Sequence, residues 1–94
     1  NEVLSKFAKD FKDKYSKDAD TFAGHAYDSL NIVVKAIEAA GKDDREAVRD
    51  AIEKTSGFVG TAGIFSYSAT DHNGLSADAF VWVKVEGGKW KLAE

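Results

Sequence analysis

The chain has 94 residues, 13 basic and 16 acidic, with a net charge of −3 and no cysteine. It is one domain or part of one, and folding should bury only about 60–65% of the unfolded chain's surface. Its charges are scattered rather than gathered into a basic stripe, which excludes nucleic acid as a partner, and the lack of cysteine excludes both a disulfide framework and a zinc–thiolate site. No apolar run approaches the ~20 residues of a membrane span, and no basic start leads into an apolar secretory segment. The absence of methionine and an opening on Asn1-Glu2-Val3, already in helical pattern, lead us to expect a processed or cut product whose beginning lies elsewhere.

Val3, Leu4, Phe7, Phe11 and Tyr15 recur every three or four residues between lysines and aspartates, which predicts an amphipathic surface helix. The polar run Ser16–Thr21 breaks it, and Asp20 or Thr21 can cap a second helix starting near Phe22. That helix carries the strongest stripe in the chain, from Phe22, Ala23, Ala26, Tyr27 and Leu30 to Val33, Val34, Ile37 and Ala40, and it stops at Gly41. Small residues at Ala36, Ala39 and Ala40 widen the face and suggest contact on more than one side. Asp43 or Asp44 caps a third helix with an apolar stripe of Val48, Ala51 and Ile52, and Glu46 completes a capping box if Asp43 is the cap.

From Phe58 the texture becomes β-branched and aromatic, so Thr61–Tyr67 reads as a strand, Asp71-His72-Asn73-Gly74 as a turn and Ala79–Val85 as a second strand. Glu86-Gly87-Gly88-Lys89 turns the chain into a short return strand, Trp90-Lys91-Leu92. Three amphipathic helices thus have only a few short strands to cover them.

Motifs that would carry chemistry fail on context. His25 and Asp28 share a helix face and His72 adjoins Asp71, but a structural metal site wants four His or Cys ligands, and these residues do not supply them. Solvated surface histidines are the plainer reading. Gly60 and Gly63 flank a strand instead of opening a helix, so they are bulge or close-approach glycines and not a phosphate cradle. None of Ser56, Ser66, Ser68 and Ser76 stands in Gly-x-Ser-x-Gly. The row Phe80, Trp82, Trp90 reads as a hydrophobic sheet face, because arginines that would turn it into a base-stacking platform do not flank it. We assign no catalytic residue, no metal and no cofactor.

The stretch Phe22-Ala23-Gly24-His25-Ala26-Tyr27-Asp28-Ser29-Leu30, continued through Ala36-Ile37-Glu38-Ala39-Ala40-Gly41, occurs with Asp71-His72-Asn73-Gly74-Leu75 and Val85-Glu86-Gly87-Gly88-Lys89-Trp90. In this order it resembles the branched-chain amino acid type of periplasmic solute-binding protein, the receptor of an ABC importer. The resemblance implies an α/β fold, the C-terminal part of a two-lobed type I periplasmic binding protein, which alone would look α+β. Residues 1–70 would supply helices and strand of one lobe, and 71–94 the crossover and C-terminal hairpin. It implies a periplasmic or lipid-anchored extracytoplasmic receptor that closes by hinge motion on a branched-chain or related amino acid and delivers it to a membrane permease, with no bond broken.

By the same resemblance, Phe22 packs against the ligand's aliphatic side chain; His25 lies one turn from Phe22 and on that spacing could border the cleft. The residues alone favour Phe22 as core, filling space beside Tyr15 or Tyr27, since large apolar residues are mostly structural. Ala26-Tyr27-Asp28 is the family's recurrent tripeptide, which we read as architectural, with Asp28 pairing or capping locally. The alternatives are a stand-alone α+β interaction module and a small hydrolase, the latter requiring a pocket that joins His25 to His72. With little to cover its helices, the chain by itself is expected to form a homo-oligomer.

Overall fold

The computed structural model describes residues 1–93. Three helices come first: α1 (Glu2–Tyr15), α2 (Thr21–Ala40) and α3 (Arg45–Glu53). Each begins where a short polar side chain meets a helix amide. Asn1 accepts from Leu4 N, Asp20 from Ala23 N, and Asp44 from Ala47 N. Such caps satisfy amides that have no partner within the helix. Of the two aspartates open for α3, Asp44 is therefore the cap, which removes the basis of the Asp43–Glu46 capping box. α2 ends at Gly41 in the left-handed conformation, φ 72°, as expected.

α1 meets α2 through aromatic rings. Phe7 and Tyr27 have centroids 4.7 Å apart, and Phe7–Phe11 and Phe11–Tyr15 continue the row at 5.7 and 4.8 Å. Pairs of this kind contribute about 0.5–1.5 kcal/mol each beyond area burial. α3 packs along the C-terminal half of α2 with Val48, Ala51 and Ile52 half-buried.

The strand prediction for Thr61–Tyr67 requires correction. Two two-residue strands, β1 (Phe58–Val59) and β2 (Ile64–Phe65), pair antiparallel with Phe58 opposite Phe65. Thr61 and Ala62 lie in the connection because their amides donate to Asp28 on α2, at 2.7 and 3.1 Å. An amide bonded to a helix side chain is lost to a sheet ladder. The expected Ala79–Val85 strand is likewise shorter. Ala77–Ala79 forms a 3-10 turn, and only β3 (Val83–Glu86) pairs with β4 (Lys89–Leu92), Val85 facing Trp90. Gly87 and Gly88 close this hairpin with φ 61° and 74°, the pair of positive values that suits the strands' twist.

The interior formed by these elements is small. Its buried apolar side chains are Ile32, Ala36 and Phe65, and Asp28 and Thr61 are buried with them. On α2 the inward face is Gly24, Asp28, Ile32 and Ala36, a four-residue repeat. The long stripe read from the sequence lies elsewhere: Phe22, Leu30, Val33, Val34 and Ile37 are all exposed.

Candidate functional site

The site suggested by sequence is the start of α2. Asp20 sits in extended backbone and accepts from Ala23 N at 2.8 Å, so the first turn is fixed and its leading amides face outward. Phe22 stands on this turn, 79% exposed. The ring pairs among the described aromatics join Phe7, Phe11, Tyr15 and Tyr27 on one side and Phe58, Phe65 and Tyr67 on the other. Phe22 belongs to neither group. The core reading of Phe22, beside Tyr15 or Tyr27, therefore has no support in the contacts. His25 is also exposed and lies one turn along the same helix, where residues three apart are neighbours. Phe22 and His25 are thus brought together on the surface.

His72 is not part of that pair. Its Nε2 lies 3.0 Å from Glu53 Oε1, beside a 460 Å³ groove lined by Val33, Ile37, Val48, Ile52 and Tyr67. The groove it shares with Val33 and Ile37 lies roughly 12–18 Å along the α2 axis from His25. No groove described in the structure contains both histidines, and no group of three or more His, Asp or Glu side chains among the described residues is arranged to hold a metal. The two-histidine chemistry imagined from sequence has no geometry behind it.

Beneath the first turns of α2 the structure shows what sequence reading missed. Asp28 is 1% exposed, and its carboxylate accepts from Thr61 N, Thr61 Oγ1 and Ala62 N at 2.7, 2.9 and 3.1 Å. The expectation that Asp28 pairs or caps locally is corrected: its partners lie 33 and 34 residues away. Backbone and side chain approach so closely that a Cβ on Gly24 would fall 2.7 Å from Thr61 Oγ1, and one on Gly60 2.7 to 2.8 Å from the Asp28 carboxyl atoms. Asn1 Nδ2 donates to Gly60 O at 3.0 Å. A sequence signal existed: an acid at the centre of the Gly24, Ile32, Ala36 repeat marks a buried carboxylate that needs donors.

A 240 Å³ pocket opens beside this point, between α1 and the start of α2, lined by Phe7, Asp20, Thr21, Gly24, Thr61 and Ala62 among others. Near the 71–74 turn, Asp71 Oδ1 accepts from Asn73 N at 2.9 Å and Gly74 N at 3.1 Å, and those amides, Gly74 first, hold its carboxyl below the ordinary value of 3.8. Burial pushes the Tyr67 phenol upward, with the charges of Asp28 and Asp71 adding to the effect. No helix among the described residues is long and apolar enough to cross a membrane.

The whole chain superposes on larger proteins. A leucine binding protein from Thermotoga maritima MSB8 is 34% identical with a TM-score of 0.78, over 100% of this chain and 26% of that one. A periplasmic binding protein type 1 from Bordetella pertussis Tohama I is 26% identical with a TM-score of 0.80, over 99% of this chain and 29% of that one. An extracellular ligand-binding receptor from Rhodopseudomonas palustris HaA2 is 26% identical with a TM-score of 0.81, over 98% of this chain and 28% of that one. The chain thus spans between a quarter and a third of the length of these proteins. No curated sequence matches it. Its three helices and short antiparallel strands have the fold of part of a type I periplasmic binding protein. A sequence profile of periplasmic binding proteins matches residues 1–89, nearly the whole length, and the chain belongs to that family.

Proposed function

We propose that these 94 residues are part of a two-lobed receptor that captures a branched-chain or related amino acid and hands it to the membrane permease of an ABC importer. The receptor works outside the cytoplasm, in the periplasm or tethered to the outer face of the membrane. It binds and releases its solute without breaking a bond. The observation that carries this reading is the 34% identity, over the full chain, with a leucine binding protein. The exposed ring of Phe22 supports it, since an aromatic side chain left bare by its own fold is available to pack on an aliphatic solute. His25, exposed one turn later, would border the same cleft.

Calorimetric titration with leucine, isoleucine and valine tests the reading in the full-length receptor encoded by the reading frame that contains these residues. At least one should bind saturably, and Phe22→Ala should weaken it by roughly 1–3 kcal/mol with little change in melting temperature. Unchanged affinity with a sharply lowered melting temperature would make Phe22 a structural residue. The 94-residue chain alone should give no measurable binding heat, because a cleft between two lobes needs both.

A further inference from the structure

We propose that Asp28 is a positioning residue for solute binding: by fastening Thr61 and Ala62 to α2, it fixes the pose in which Phe22 meets the solute. The inference rests on the reading of Phe22 as a solute contact. Phe22 is 79% exposed and has no part in the aromatic pairs of the described residues. Its position is therefore inherited from the helix backbone and not from packing of its own ring.

That backbone is held from the opposite side. Phe22 precedes Gly24 by two residues, about 200° around the helix, and Gly24 is where the helix abuts Thr61 Oγ1. One turn further on, Asp28 takes three hydrogen bonds from Thr61 and Ala62, and Gly60 lies against its carboxyl group. The carboxylate is suited to the task because it is acceptor-only, and all three groups facing it are donors. An amide in its place would turn its own N–H₂ toward one of those donors, loosening the 60–62 segment and the helix start that rests on it. The gap is too narrow for a compensating shift without moving the backbone, since neither Gly24 nor Gly60 has space for a Cβ.

The test is a double-mutant cycle in the full-length receptor, with leucine affinity read by calorimetry and melting temperature read alongside. Asp28→Asn should weaken leucine binding about tenfold, which against the twofold limit in the Phe22→Ala background is a coupling of about fivefold or more, within the range for linked residues. In a Phe22→Ala background the same change should alter affinity less than about twofold, since the group being positioned is gone. Thr61→Val removes only the hydroxyl bond to Asp28 and keeps the side chain's shape. It should move affinity in the same direction by less, and it carries the test if Asp28→Asn does not fold. A lowered melting temperature with unchanged affinity in both variants would reduce Asp28 to a structural residue and overturn the proposal. Equal affinity losses in the presence and absence of Phe22 would also overturn it. If the unaltered receptor binds none of leucine, isoleucine and valine, the proposed function falls and this inference with it. If it binds leucine but shows no coupling, only the inference falls.

Discussion

Gly60 is where the smallest change should have the largest structural effect. Its missing side chain leaves room for the Asp28 carboxyl group, and a methyl there would fall within 2.8 Å of all three carboxyl atoms. A long surface side chain could swing away, but this carboxylate is pinned by three hydrogen bonds. The conflict must be relieved by breaking those bonds or by moving β1 away from α2. Gly60→Ala should therefore destabilise the full-length receptor by about 1–3 kcal/mol, the usual range for overpacking or for loss of a buried polar network. Chemical denaturation of the two forms measures it. Equal stability would mean that the segment has slack the distances do not show. Gly57, which has no neighbour near its Cβ position, is not expected to meet this collision.

Among the connecting elements, the 71–74 turn has a pH dependence whose sign follows from its hydrogen bonds. The Gly74 and Asn73 amides favour the ionised Asp71 carboxylate and lower its pKa. The turn's stabilisation is therefore fully present above the ordinary carboxylate value of 3.8 and is lost as pH falls through the lower folded value. Carbon-detected NMR titration should find the Asp71 midpoint below 3.8, with the protection of the Asn73 and Gly74 amides, relative to an unstructured chain at the same pH, falling as the carboxylate protonates; a midpoint at or above 3.8 would show that the turn does not hold the charge. This turn was legible in the sequence, as were the bounds of α2, because Asp-x-Asn-Gly chemistry and helix caps act within a few residues. The strand between Gly60 and Tyr67 was not, since Asp28 withdraws the Thr61 and Ala62 amides from any ladder across 33 residues of chain. Nor did the sequence single out the inward face of α2: its stronger apolar stripe, Phe22 to Ile37, is exposed, while the buried face is Gly24, Asp28, Ile32 and Ala36. Hydrophobic pattern records all the surfaces a helix is built to meet, and the stripe does not say which of them lies within these 94 residues. For the same reason, the resemblance could name Phe22 and His25, but only the structure could show both rings on the surface.

At the scale of the whole molecule, the described chain is more open than a self-sufficient domain. Its radius of gyration is 15.6 Å, against about 12 Å for a compact domain of this length. The accessible surface is 7464 Å², roughly 40% above what a compact monomer of 10.2 kDa would expose. The excess is apolar where it matters most. On α2, Leu30, Val33, Val34 and Ile37 form an uncovered stripe, and the β3–β4 hairpin exposes Val85, Trp90 and Leu92 next to Phe80 and Trp82. Isolated apolar side chains on a surface are ordinary, but a continuous stripe on a helix together with a hairpin that bears Trp90 and is preceded by Trp82 is a surface that calls for cover. A two-stranded hairpin, moreover, is marginal in water without something packed on it, and both of its edges can accept another strand. The 94-residue chain prepared alone should therefore associate, with the α2 stripe or the β3–β4 hairpin in the contact, by edge pairing or by exchange of identical elements between copies. Multi-angle light scattering over a range of concentrations should give a mass that rises above 10.2 kDa, and Trp82→Lys with Trp90→Lys should shift it back toward the monomer if the hairpin makes the contact. A compact monomer, independent of concentration and melting cooperatively, would mean that the helices and hairpin close on each other in solution and that the exposed stripe of α2 needs no partner.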